Sequence, residues 1–220
     1  ETLTHSPLIE SGMIYIQNLS SMLAPLVLDP QPGETVLDLA AAPGGKTTQI
    51  AQMMNNEGML SAVEPVRNRM FKLQANLRRC KVEIAKTYLT DGRSVGRKTP
   101  ERFDRVLLDA PCSSEARIRS ANPKSWETWS PRKIRESSRK QNGLLKAAIH
   151  SAKINGLIVY CTCSYAPEEN ERIVHKALHK FGDAIEIEAI ELPIENWIPG
   201  LAAFNSKDFY QPVTRCRRVI

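Results

Sequence analysis

Three groups of residues in this 220-residue sequence have types and spacings that could do chemistry. The first is the run "DLAAAPGGKTTQ" (38–49). Its Gly45, Lys46 and Thr47 match the second half of a G-x-x-x-x-G-K-[ST] phosphate loop, but Ala40 stands where the first glycine belongs. Gly44 and Gly45 would let the backbone approach a ligand closely at the start of a helix. The second group is three acids at the ends of apolar runs: Glu64, Asp91 and Asp109. Glu64 lies 19 residues beyond Gly45, the position from which a carboxylate accepts both hydroxyls of a ribose. Asp91, in "LTDGR", is placed to meet an adenine edge. The third group is thiols. Cys112, in "DAPCSS", follows Asp109 by three residues, and Cys163 stands in "YCTCSYAPEENE" with Cys161 two residues before it.

An ATP phosphate loop does not need the acid at Glu64, and the missing first glycine weakens that reading. The full G-x-G-x-x-G dinucleotide fingerprint is also absent. A loop, Glu64 and Asp91 in that order favour an adenosyl ligand. A buried cysteine is ordinarily an inert small hydrophobe, but two of them beside an adenosyl site are candidates for chemistry.

Elements that could position these groups alternate along the chain. "TVLDLA" (35–40), "MLSAVE" (59–64), "VEIAKTYL" (82–89), "DRVLLDA" (104–110) and "GLIVYCTC" (156–163) read as buried strands. Runs 46–54, 66–79, 131–153 and 167–181 read as helices, with Pro131 and Pro167 in first-turn positions and Ser130 as an N-cap. A helix over 20–28 precedes the first strand, the tail after Leu192 reads as irregular, and "RCRRVI" could begin an edge strand. Strand–helix alternation implies a mainly parallel sheet with helices on both faces. Ligands of such sheets lie beyond the carboxyl ends of the strands. The expectation is one domain, a lead-in helix segment over 1–30 and a catalytic domain over 31–220.

Composition is ordinary for a globular protein, with 42% hydrophobic and 25% charged residues. No apolar run is long enough to span a bilayer and no signal peptide opens the chain, so a soluble cytoplasmic protein is expected. Five cysteines show neither a disulfide framework nor a paired zinc motif. Net charge is +6, and residues 115–140 carry eight basic against three acidic side chains together with Trp126 and Trp129. Basic groups interleaved with aromatics suit a phosphate backbone and unstacked bases, although a solvated helix face is the plainer alternative.

"IQNLSSML", "VLDLAAAPGGKTTQ", "VLLDAPCS" and "CTCSYAPEENE", in this order over 14–172, resemble the motif set of the RsmB/NSUN family of RNA cytosine-5 methyltransferases. "NNEG", "DGR" and "WSP" (129–131) are most similar to its RsmF-type ribosomal RNA branch. The resemblance implies a class I S-adenosylmethionine-dependent methyltransferase fold, Rossmann-like. It implies S-adenosylmethionine held by Ala40, Ala41, Ala42, Pro43, Gly44, Gly45, Lys46, Glu64, Asp91 and Asp109. It makes Cys163 the nucleophile and Cys112 the residue that helps release the enzyme from its RNA adduct, with Asp109 and Lys46 beside them. The partner it implies is RNA, ribosomal in preference to transfer RNA; no metal and a monomer are expected. The sequence departs from the family pattern at Ser114 and Ala116, which replace glycines after the Pro-Cys pair, and at Cys161, where serine is common. The family continues beyond "RRVI" with a further strand, so an incomplete sheet is expected.

This chemistry needs a thiolate. Cytosine C5 is too poor a nucleophile until a thiolate adds to C6, and cysteine is both a strong nucleophile and a competent leaving group. Its ordinary pKa of about 8.5 must be lowered by positive charge, for which Lys46 is the candidate. The target base must be unpaired or flipped out. Other candidates read as structural. His175 and His179 share a helical face without a third ligand, and His5 and His150 have no metal-ligand partners. Cys80 and Cys216 read as packing or surface thiols. Glu168, Glu169 and Glu171 read as first-turn charges of a helix, and Asn170 and Arg172 have no assigned role. A non-catalytic RNA-binding module is the remaining alternative.

Overall fold

The structure, a computed structural model, describes residues 6–220. His5 and the first residues of the 1–30 segment lie outside the described residues. Two compact units divide the chain: the described residues up to Asp109 together with Ala147–Tyr160, and Ala110–Lys146 together with Cys161–Ile220.

In the first unit the chain runs α1 (Pro7–Glu10), α2 (Leu19–Leu28), β1 (Thr35–Asp38), α3 (Gly45–Met53), β2 (Met59–Val63), α4 (Arg67–Arg79), β3 (Ala85–Tyr88), α5 (Val95–Lys98) and β4 (Phe103–Asp109). Helix α6 (Pro131–Ser151) and strand β5 (Ala152–Cys161) follow. The sheet has the order β3-β2-β1-β4-β5. β1 pairs parallel with β2, from Thr35↔Met59 to Asp38↔Ala62, and with β4, from Val36↔Arg105 to Asp38↔Leu107. The order reverses between β1 and β4, so the carboxyl ends of these two strands flank the switch point where doubly wound sheets bind ligands.

Burial explains the apolar runs. Val36, Leu37, Val106, Leu107 and Leu108 are all fully buried, as expected of strands covered on both faces. Helix α4 places Met70, Leu73 and Leu77 against Ala62 and against Ala41 and Ala42 of the loop, so the helix that follows β2 also buttresses the loop that follows β1. Asn18 caps α2 by accepting from the Ser20 N–H at 3.1 Å, which starts that helix one residue earlier than its periodicity predicts.

Two boundaries differ from expectation for identifiable reasons. Helix α6 stops at Ser151 rather than at Lys153. The carbonyls of His150 and Ser151 accept from the Glu101 and Arg102 N–H groups at 3.0 and 2.8 Å, and Lys153 turns away to pair with Asp104 at 2.7 Å. Helix α7 begins at Glu171, not at Pro167. Asn170 has non-helical backbone angles, φ −116° and ψ −100°, and its side chain is spent on the preceding turn.

The second unit holds most of α6, then α7 (Glu171–Phe181) and a tail that is not irregular. β6 (Trp197–Pro199) pairs antiparallel with β9 (Arg217–Val219), and β7 (Ala203–Phe204) with β8 (Lys207–Asp208). The strand expected in "RCRRVI" thus exists, but its partner is β6. Among the described residues no helix is long and apolar enough to cross a membrane.

Candidate active site

At the carboxyl ends of the first unit's strands stand three carboxylates in three different environments. Asp38, the last residue of β1, is buried and accepts from the Thr47 hydroxyl at 2.7 Å. Burial pushes its pKa up to about 6, with the nearby Asp109 charge adding to the rise and the Thr47 bond opposing it. Glu64 follows β2 and is wholly buried. Its Oε1 accepts the Val66 N–H at 2.8 Å; its Oε2 lies 3.2 Å from an Arg69 nitrogen but receives no hydrogen bond. Asp109, the last residue of β4, is partly exposed and accepts from Lys46 Nζ at 2.6 Å. Lys46 also donates to the Ser21 hydroxyl of α2 at 2.7 Å, so the ammonium is fixed between two elements.

The glycines of the loop are required by the protein itself. Gly44 has φ +111°, a left-handed conformation that favours glycine. A Cβ at Gly45 would lie 2.9 Å from both the Gln17 side-chain oxygen and the Tyr15 ring. Around the loop, Arg69 donates to the Ala42 carbonyl at 2.7 Å and Asn76 to the Pro43 carbonyl at 2.8 Å. Asp91 is held by Arg93, which donates to both carboxylate oxygens at 2.6–3.0 Å.

In the second unit the two thiols meet. Cys112 Sγ and Cys163 Sγ are 3.1 Å apart, and Ser114 Oγ lies 3.5 Å from Cys163 and 3.8 Å from Cys112. The hydrogen bond with Cys163, followed by burial, pushes the Cys112 thiol pKa far up. Two sulfurs this close cannot both carry a negative charge, so ionisation of one keeps the proton on the other. Beneath them Glu169 is wholly buried and accepts from Ser113, Ser164 and Gln141.

The description "16S rRNA methyltransferase RsmB/F" matches residues 25–196. The chain belongs to the RsmB/F methyltransferase family. It is 44% identical over 188 residues to the ribosomal RNA small subunit methyltransferase F of Vibrio atlanticus, covering 84% of this chain and 40% of that protein. It is 48% identical over 188 residues to the tRNA (cytosine(49)-C(5))-methyltransferase of Pyrococcus abyssi, covering 86% of this chain and 59% of that one. Among solved structures, a methyltransferase homolog protein from Pyrococcus horikoshii superposes with a TM-score of 0.83 at 33% identity, over 100% of this chain and 67% of that chain. The chain therefore spans 40% and 59% of the length of these two curated relatives.

The structure of this RsmB/F chain brings together Lys46 with Asp109, and Cys112 with Cys163. The side chains of Ala41 and Ala42 pack against α4. Sequence reasoning passed over Asp38, Thr47, Ser21 and Arg69. Asp38 and Thr47 sit inside the quoted loop motif, so the signal was present without a role attached. It also read Glu169 as a first-turn charge, whereas Glu169 is buried and precedes α7; Glu171 does lie in the first turn, where it is buried, accepts the Leu201 N–H at 3.1 Å and lies 3.4 Å from Arg218. His175 accepts the Tyr210 N–H at 3.2 Å and packs against that ring. Among the described residues no three His, Cys, Asp or Glu side chains gather as a metal site.

Proposed function

We propose that this chain is the catalytic part of an RNA methyltransferase that makes 5-methylcytosine through a covalent bond between Cys163 and C6 of the base. The observation that carries this reading is the 3.1 Å separation of the Cys112 and Cys163 sulfurs in a member of the RsmB/F family. With Cys163 ionised, Cys112 is the S–H donor to it. That donor steadies the thiolate before it attacks C6 and steadies it again when elimination expels it from C6.

S-adenosylmethionine, when bound, supplies an electrophilic methyl group. The first unit fits this cofactor. Glu64 Oε2 is buried without a hydrogen-bond donor, and a ribose hydroxyl provides one. Asp91, three residues beyond the end of β3, is assigned to the adenine edge. The loop 40–45, with its short side chains, borders the methionine end. Asp109, oriented by Lys46, is assigned to the methionine end of the cofactor.

RNA reaches the site along α6. Arg132, Lys133, Arg135, Arg139 and Lys140 are exposed on one arc of the helix, and Ser137, Ser138, Gln141, Leu144, Leu145 and Ala148 are buried on the opposite arc. Trp126 and Trp129 are 38% and 41% exposed just before it, with the Trp129 ring nitrogen donating to Glu115 at 3.0 Å. Cations meet phosphates and exposed rings meet unstacked bases. Ribosomal RNA is the preferred substrate, following the family description. Transfer RNA is the second reading, favoured by the higher identity of the Pyrococcus relative.

Cys163→Ala is expected to abolish methyl transfer, and Cys112→Ala to accumulate a protein–RNA adduct that survives denaturant. The reverse pattern would exchange the two roles, and no transfer by the unaltered protein would leave an RNA-binding module. Bisulfite sequencing of ribosomal and transfer RNA from cells lacking the gene separates the two substrates.

A further inference from the structure

We infer that Glu169 is the positioning residue that sets the distance between the two thiols. Its consequence for catalysis rests on the function proposed above, but the geometry stands apart from it. Cys112 and Cys163 lie on different turns, and each is followed by a serine whose side chain is buried: Ser113 and Ser164. Glu169 binds both. Its Oε1 accepts from the Ser113 hydroxyl and, at 3.1 Å, from the Ser164 hydroxyl. Its Oε2 accepts the Ser113 N–H at 3.1 Å and the Gln141 amide at 2.6 Å. The same Gln141 amide donates to the Pro111 carbonyl at 3.0 Å, so the residue before Cys112 is tied to the cluster as well as the residue after it.

Every one of these partners is a donor. The Ser164 hydroxyl oxygen is already the acceptor for the Ala166 N–H at 3.1 Å, which leaves its proton for Glu169. A carboxylate, which accepts on both oxygens and donates on neither, fits this set. Glutamine could meet the two serine hydroxyls with its NH2 group, because a hydroxyl also accepts, so alanine is the substitution that removes the tether. With the carboxylate in place, one buried group joins the Cys112 turn, the Cys163 turn and α6. Removing it leaves the bond from the Ala116 N–H to the Cys163 carbonyl at 3.1 Å and the Ser113–Ser164 hydroxyl pair at 3.2 Å to hold the turns, without the tie to α6.

The thiol distance can be read without RNA or cofactor. Diamide, an azo oxidant, takes two electrons and two protons from a pair of thiols: two S–H bonds break, one S–S bond forms, and the azo group becomes a hydrazine. A disulfide requires the sulfurs to close to about 2.05 Å, so its rate of formation in the folded protein reports how the pair is held. Oxidation is followed by the mass of the Cys112–Cys163-linked peptide, which separates it from Cys80, Cys161 and Cys216. Misplacement by about 1 Å can cost roughly 100-fold in a positioned reaction. Glu169→Ala should therefore form the linked peptide at least about tenfold more slowly than the unaltered chain. In methyl transfer it should lower kcat comparably and leave KM for RNA unchanged. Oxidation at the unaltered rate by a folded Glu169→Ala protein overturns the inference. Should that variant not fold, Ser164→Ala decides: it keeps the carboxylate and removes one tether, so slower oxidation supports the inference and an unchanged rate overturns it. If the unaltered protein transfers no methyl group, the proposed function fails while the oxidation comparison still tests Glu169.

Discussion

In the first unit Asp38 and Asp109 are the last residues of β1 and β4, and Glu64 follows β2 directly. Backbone bonds carry them into place: the Leu39 N–H donates to Leu107 at 2.9 Å and the Glu64 N–H to Tyr88 at 3.1 Å. In the second unit Cys112 and Cys163 lie beyond the last residues of β4 and β5; one backbone bond, from the Ala116 N–H to the Cys163 carbonyl at 3.1 Å, joins their turns, and the side chains of Glu169 and Asn170 do the rest. Ladder bonds repeat along a whole strand and survive the loss of one side chain. A side-chain clasp concentrates the same task in one or two groups. Backbone pairing thus suits fixed acceptors for a bound molecule, and a clasp suits a thiol pair whose separation must be held within tenths of an ångström.

The largest test of this contrast removes packing from the first unit. Leu73 is fully buried between α4 and the loop alanines. Leu73→Ala should lower unfolding free energy by about 3–5 kcal/mol, the range for a leucine deleted from a core that relaxes incompletely. Urea denaturation measures it. Below the transition, diamide should still link Cys112 to Cys163 at the unaltered rate, because the clasp that holds them contains no residue of α4. A slowed linkage would show that the clasp depends on the core of the first unit.

Next in size is the pH response of Asp38. Its folded pKa of about 6 exceeds the ordinary carboxyl value because burial disfavours the charge. A raised carboxyl pKa means that the folded protein binds the proton more tightly. The contribution is present below about pH 4 and is lost as pH rises to about 6. Stability relative to Asp38→Asn should fall by on the order of 3 kcal/mol across that window. A difference that stays flat from pH 4 to 7 would show that Asp38 ionises as an exposed carboxyl does.

The same contrast decides what could be read from the sequence. Apolar runs ending near Glu64 and Asp109 placed these acids at strand ends, because a strand turns sequence position into spatial position through a repeating backbone rule. The motif cysteines were legible by type. The clasp was not. Ser113, Gln141, Ser164 and Glu169 are polar, lie as far as 56 residues apart, and obey no period. Glu169 in "PEENE" carries the charge pattern of a helix start, and only the off-helical backbone of Asn170 moves that start to Glu171. Gly45 misled in the other direction. Its small size reads as room for a ligand, whereas the atoms that demand it belong to Tyr15 and Gln17.

Asn170 gives the smallest expected change in stability and the sharpest view of the clasp. Its side-chain oxygen accepts from Thr162 at 2.7 Å, and its amide donates to the Ser164 and Ala166 carbonyls at 2.8 and 3.0 Å. Cys163 is therefore bracketed on both sides by one residue, but Asn170 makes no such bond to the Cys112 turn. Asn170→Ala should cost about 1–3 kcal/mol of unfolding free energy, the range for a buried donor or acceptor left unmade. It should loosen only the Cys163 side of the pair. Hydrogen exchange tests this directly: the Ser164 and Ala166 amides should exchange faster in the variant, and the Ser113 amide, bound to Glu169, should keep its protection. Equal loss at all three would mean that the two turns yield together, and that Glu169 and Asn170 form one clasp rather than two.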